Sequence, residues 1–239
     1  MDAELADGVT TVRIDNPPVN AFDLKLVDDA VAIMRSIEGP IVLTGAGACF
    51  SAGVDLRAIL DGGPDYVEAF FAAASAAFLA VFDHPAPVVA AINGHAIAGG
   101  CVLAMAADMR LMSAGRLGLS EVAVGVPFPV AALEICRYAM GPTVTRAVLQ
   151  ADNIDAQSAL ERGWIDEVVA PDDLLTHAVA TARALGRHPA IAYAAMKDQL
   201  HRHVRAAIDA GAELDADVRA IWKSEETRAR LCAFLDALK

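Results

Sequence analysis

Residues 88–126 read VVAAINGHAIAGGCVLAMAADMRLMSAGRLGLSEVAVGV, and the fold is decided here. The run 88–92 is short, unbroken and apolar, with β-branched residues, as in a strand buried on both faces. Asn93-Gly94 breaks it, and Gly99-Gly100 follows before CVLAMAA, a segment of good helix formers. The order is strand, glycine-punctuated turn, buried helix. Such a turn leaves backbone N–H groups unpaired at the helix N-terminus, a geometry that suits an anion or a developing oxyanion. Taken alone, the Gly99 turn is equally well explained by close packing of helix on strand. Further on, Glu121 interrupts an otherwise apolar run, LGLSEVAVGV. A carboxylate there is costly to bury unless it is partnered or used, although a helix-start acid is the bland alternative.

Upstream, residues 8–14 (GVTTVRI) alternate as a strand that Pro17-Pro18 stops. Residues 20–37 place Leu24, Val27, Val31 and Met34 on one helical stripe, and 40–44 read as a second buried strand closed by Gly45 and Gly47. This β, α, β order predicts parallel pairing through a helical crossover. A dinucleotide fingerprint would need a third glycine where Phe50 stands. Instead SAGVDL makes a second turn, whose amides around Ala52 and Gly53 are expected to face the same cavity as those near Gly99. Asp55 reads as the cap of a helix from Leu56, and residues 66–82 as a helix that His84-Pro85 ends.

Downstream, 108–113 reads as a strand, 131–140 and 143–149 as helices, and 155–170 as a helix capped by Asp155, ended by Gly163 and followed by a short strand. Helical periodicity then covers 174–186, 189–209 and 213–237, with apolar stripes wide enough to predict contact between subunits. A boundary near Gly186 divides an α/β unit, 1–186, from a helical unit, 187–239.

Composition narrows the function. The 239 residues are 56% hydrophobic with a net charge of −12, and the basic residues are scattered, which excludes a nucleic-acid footprint. The four cysteines are far apart without zinc-ligand spacing, so neither disulfides nor a metal site is expected. The opening MDAELADGV is acidic where a signal peptide is basic, and no apolar run reaches spanning length without a charge or proline. These features predict a cytoplasmic protein with no membrane partner.

Other candidates carry less. Ser120 lacks the second glycine of a nucleophile elbow. His201 and His203 lie two apart on a helix and face different ways. His95 suits either a pocket wall or a structural role, and Cys101 either a helix-end thiol of lowered pKa or core packing. Glu134 is expected to pair with Arg137 at i+3.

FSAGVDL at 50–56, INGHAIAGGCVLAMAADMR at 92–110 and GLSEVAVGVPFP at 118–129 together resemble the crotonase superfamily, also called the enoyl-CoA hydratase/isomerase family. The resemblance runs from NPPVNAF at 16–22 to the helical tail. It implies an α/β spiral of ββα turns with a C-terminal helical trimerisation region, assembled as a homotrimer or homohexamer. It also implies an acyl-CoA thioester substrate, with coenzyme A part of the substrate and no separate cofactor. The thioester oxygen would sit between the amides of Ala52 and Gly99, with Ala52, Gly53, Val54, Asp55, Leu56, Val102 and Ser120 also contacting substrate.

The acids divide the family's reactions. Hydratases of this kind use two glutamates to hold and activate water; the first position is Val102 here and the second is Glu121. One glutamate with an apolar partner position matches the Δ3,Δ2-enoyl-CoA isomerases, in which it would carry a proton from C2 to C4. Dienoyl-CoA isomerases add an aspartate where Pro129 stands. The alternatives are a hydratase recruiting Glu134, Asp61 or Asp65, and a non-catalytic acyl-CoA-binding protein on the same scaffold.

Overall fold

A computed structural model describes residues 1–237. Its elements begin with β1 (Asp2–Ala6), β2 (Val9–Ile14), α1 (Leu24–Ser36), β3 (Ile41–Gly45), β4 (Cys49–Ser51) and α2 (Leu56–Phe82). There follow β5 (Val88–Ile92), β6 (His95–Ile97), α3 (Gly99–Met105), β7 (Met109–Met112), β8 (Leu117–Gly118) and α4 (Glu121–Val124). Next come α5 (Val130–Met140), α6 (Val144–Gln150), β9 (Asn153–Ile154), α7 (Ala156–Glu161) and β10 (Glu167–Val168). Four helices close the chain: α8 (Leu174–Leu185), α9 (Ala190–Ala210), α10 (Ala212–Trp222) and α11 (Glu225–Ala237).

The strands form two sheets, in the orders β1-β2-β3-β5-β7-β10 and β4-β6-β8-β9. Successive turns of chain lay one strand in each sheet: β3 then β4, β5 then β6, β7 then β8. Within each sheet those strands pair in parallel, so the backbone winds as a ββα spiral. The large sheet is covered on both sides. Val42, Val89, Ala91 and Leu111 meet Leu174, Ala178 and Ala182 of α8. Leu43, Ala90, Ile92 and Met112 face the main core with α1, α2 and α3. Burial on both faces explains why β3 and β5 read as unbroken apolar runs rather than alternating ones.

The structure adds an N-terminal strand to the sequence reading and divides one of its helices. Asp2–Ala6 is a strand, paired antiparallel with β2, although every residue in it is exposed; an edge strand with no buried face has no alternation to detect. The helices expected from Leu56 and over 66–82 both form, running on as one element, α2, broken where Gly63 takes φ +68° before Pro64. The single helix expected over 213–237 is two, α10 and α11, separated at Lys223 and Ser224. Leu238 and Lys239, at the end of the expected helical unit, lie outside the described residues.

By length and composition α2 is the one helix among the described residues apolar enough to cross a membrane. Here Phe70, Phe71, Ala74, Phe78 and Phe82 turn its apolar face into the core. The C-terminal helices share that core through Val204, Trp222 and Leu231. Lys197 of α9 ties them to the spiral, its Nζ 2.8 Å from Asp108 Oδ1, while Asp108 Oδ2 accepts from the Val88 amide at 2.8 Å. Burial holds the Lys197 ammonium below its ordinary pKa, against the opposing pull of Asp108.

Candidate active site

The two glycine turns meet. Gly53 has φ +84°, and a Cβ added there would lie 2.8 Å from both the Gly99 amide nitrogen and the Ile97 carbonyl oxygen. A side chain at Gly100 would fall 2.3 Å from the Ser51 carbonyl oxygen. Only glycine lets these backbones approach so closely, so the glycines at 53 and 100 are a packing requirement as well as a turn signal.

Asparagine and serine side chains set the turns. Asn20 Nδ2 donates to the carbonyl oxygens of Ala46 (2.9 Å) and Cys49 (2.7 Å). Asn93 Nδ2 donates to those of Gly45 and Gly47, while its Oδ1 accepts from the Gly45 amide. Ser51 Oγ donates to Asn20 O at 2.8 Å and accepts from the Gly53 amide at 3.0 Å. These three residues hold the 45–53 loop against its neighbours, and the sequence reading missed Asn20 and Ser51. An asparagine or serine in a loop reads as generic turn chemistry unless its distant partner is known.

One of the two amides expected to face the cavity is not free. The Ala52 amide is engaged, donating to Val19 O at 3.0 Å. Val54 bridges Phe22 in parallel, with Phe22 donating to Gly53 O and Asp55 donating to Phe22 O. Alternation along the extended backbone turns the Val54 N–H the other way, and among the described residues it has no acceptor. The Gly99 amide, first in α3, likewise has none. Ala98 before it takes φ +54°, an uncommon conformation for alanine, and its amide donates to Gly118 O at 2.8 Å. That bond joins the start of α3 to the strand that leads to Glu121.

Glu121 opens α4, a four-residue helix ended by left-handed Gly125, whose amide donates back to Glu121 O. The side chain is buried, and Oε2 has no hydrogen-bond partner among the described residues. Burial raises its pKa to about 8, against a smaller opposing effect of the amides of Glu121 and Ser120. The bland and the functional readings of this acid both describe it: it starts a helix, and one oxygen of its buried carboxyl is left without a partner among the described residues.

A cavity of about 140 Å³ brings the candidates together. Ala52, Val54, Leu56, Gly99, Val102, Ser120 and Glu121 all line it. Gly53 lies against Gly99, and Asp55 is turned to the α2 N-terminus, where its carboxylate accepts from the Arg57 and Ala58 amides. Glu121 is the one titratable side chain among the described residues of the lining. Asp61 and Asp65 sit in α2 outside it, and Glu134 pairs with Arg137 at 3.2 Å. His95 is exposed on β6 and does not reach the cavity. Cys101 is fully buried core, its thiol pKa pushed up by burial rather than lowered by the helix end. The remaining wall is apolar and comes from α2, residues 126–129 and the C-terminal helices, including Trp222 and Phe234, which sequence reasoning did not single out.

Comparison with known proteins agrees with this arrangement. The family profile described as enoyl-CoA hydratase/isomerase matches residues 4–239, and the chain belongs to that family. A probable enoyl-CoA hydratase, echA17, of Mycobacterium avium is 32% identical over 197 residues, 80% of this chain and 77% of that protein. Enoyl-CoA delta isomerase 1, mitochondrial, of Rattus norvegicus is 28% identical over 177 residues, 70% of this chain and 61% of that protein. The crystal structure of human mitochondrial delta3-delta2-enoyl-CoA isomerase superimposes with a TM-score of 0.92 at 23% identity, covering 99% of this chain and 96% of that one. That superposition makes the spiral the crotonase fold. Relatives named as hydratases and as isomerases both occur, and the family alone does not select between them.

Proposed function

We propose that this protein is an enoyl-CoA isomerase that moves the double bond of a 3-enoyl-CoA to the 2-position. The observation that carries the reading is the single carboxyl of the cavity: Glu121 is buried with its Oε2 unpartnered among the described residues, while fully buried Val102 stands where the family resemblance puts a hydratase's other acid. Holding and activating a water takes two such groups, whereas a proton shuttle takes one. Ionised Glu121 removes a proton from C2, and the electron pair delocalises through the thioester carbonyl and the C3–C4 double bond as a dienolate. The same carboxyl returns the proton at C4, leaving the double bond between C2 and C3. The amides of Val54 and Gly99 stabilise the enolate oxygen, each by roughly 3 kcal/mol in a dry site. The apolar lining excludes competing water.

The reading extends to a cytoplasmic homotrimer or homohexamer that needs no cofactor beyond the coenzyme A of its substrate. Exposed Ile191, Met196 and Leu200 on α9 support subunit contacts. The test is spectrophotometric. A 3-enoyl-CoA should gain the conjugated enoyl-thioester absorbance; loss of that absorbance from a 2-enoyl-CoA would mean hydration and would overturn the isomerase reading.

A further inference from the structure

We infer that Trp222 of α10 is the end stop of the acyl pocket and restricts the substrate to short chains. The inference rests on the isomerase reading for its reaction but on separate observations for its length limit.

One wall of the cavity comes from a segment far along the chain. Trp222, only 6% exposed, lines it, packs edge-on against Phe71 of α2 with ring centroids 5.1 Å apart, and donates from Nε1 to Pro127 O at 2.9 Å. An indole held at both its ring and its nitrogen cannot swing away as an unanchored side chain would. The helices that carry it are pinned as well. Arg219 and Lys223 pair with Glu68 on α2, and Arg228 donates to Leu60 O at 2.7 Å. Asp215 of α10 accepts from the Val130 amide at 2.7 Å, joining α10 to the start of α5. The wall is therefore fixed on three sides, and an acyl tail meets a rigid surface rather than a mobile one.

The space behind that wall is small. An apolar cavity near 150 Å³ accommodates about one benzene, six carbons. The cavity of about 140 Å³ includes the ground beside Glu121 and the two free amides, so the reacting carbons and the tail share it. An acyl group of about six carbons fills such a space. A twelve-carbon chain overfills it and is pressed against Trp222.

The experiment compares trans-3-hexenoyl-CoA with trans-3-dodecenoyl-CoA in the wild type and in Trp222→Ala, with Trp222→Leu as the milder variant should the alanine protein not fold. The wild type should favour the six-carbon substrate in kcat/KM by tenfold or more, in the range one or two misfitting methylenes produce (roughly 10–200-fold each). Either folded variant should shift that ratio toward the long substrate by about tenfold or more. Equal wild-type turnover of both substrates, or an unchanged ratio in a folded variant, overturns the end stop while leaving the isomerase reading standing. If neither substrate is isomerised, calorimetric binding of hexanoyl-CoA and dodecanoyl-CoA to the same proteins decides the length limit separately from the reaction. A preference for hexanoyl-CoA that Trp222→Ala or Trp222→Leu relaxes supports it, and its absence sinks it.

Discussion

Gly53 and Gly99 stand so close that a methyl group on the first would lie 2.8 Å from the amide nitrogen of the second. This contact fixes the separation of the two loops that carry the free amides, and it makes position 53 sensitive to the smallest substitution.

Gly53→Ala should therefore fold and fail. The added Cβ meets backbone at Gly99 and Ile97, and the φ of +84° disfavours alanine independently. A displacement of about 1 Å between the two amides lowers kcat on the order of 100-fold. Steady-state kinetics beside circular dichroism would read this out. Wild-type kcat in the alanine protein would refute the assignment of the two amides.

Glu121→Gln should lower kcat by roughly 100- to 10,000-fold, the usual range for a general acid–base group. Acyl-CoA affinity should change little, because the amide is isosteric and the cavity stays intact. Turnover is measured on the 3-enoyl-CoA and affinity by calorimetry with a saturated acyl-CoA. Undiminished turnover would remove Glu121 from the mechanism.

The raised pKa of Glu121, about 8, has two consequences of definite sign. Only the ionised carboxyl takes the C2 proton, so kcat/KM should rise with pH and level off above about 8. Stability moves the other way. Between the ordinary value of 4.5 and about 8 the folded protein retains a proton that the unfolded chain has released. Stability therefore falls as pH rises through that window and is lowest above it. Glu121→Gln lacks this loss, so its Tm should exceed that of the wild type at pH 8.5, with the gap narrowing as the pH falls toward 4.5. Parallel Tm curves for the two proteins would contradict the raised pKa of the buried carboxyl.

Ser51→Ala removes the hydroxyl that bridges Asn20 O and the Gly53 amide. Leaving these groups unpaired in the interior costs about 1–3 kcal/mol. The Val54 amide lies one residue beyond Gly53, so kcat should fall more than KM changes. Urea denaturation and saturation kinetics separate the two effects, and a variant that loses stability with full kcat would show that the serine supports only the fold.

Lys197→Met leaves the Asp108 carboxylate without its counter-charge at the junction of α9 and the spiral. Breaking a buried pair by removing one partner costs about 3–5 kcal/mol. Chemical denaturation should show that loss, and a change below about 1 kcal/mol would place the pair in the surface class.

The fold was legible where burial leaves a pattern. The 88–92 run, the glycine pairs and Asp55 as a cap all have their cause in local residues, and each stands where its chemistry predicts. The edge strand Asp2–Ala6 left no trace, since an exposed strand has no apolar face to display. At the site, Glu121 and Gly99 were readable because each breaks a local expectation. The free amide was not: whether Ala52 or Val54 keeps its N–H depends on Val19 and Phe22, far upstream in sequence, and no spacing rule reports that pairing. Trp222 was invisible for the same reason, as one apolar residue on a helix whose destination the sequence does not name.

The placement of Trp222 and Phe234 in the cavity wall bears on how the protein is born. On a ribosome, the glycine turns and Glu121 emerge well before residues 212–237. Until then the trough beneath Phe71 and Phe128 has no roof from these helices. A product terminated before Ala212 would carry every reacting group and still present a greasy furrow to solvent, a target for chaperones and proteases rather than for substrate.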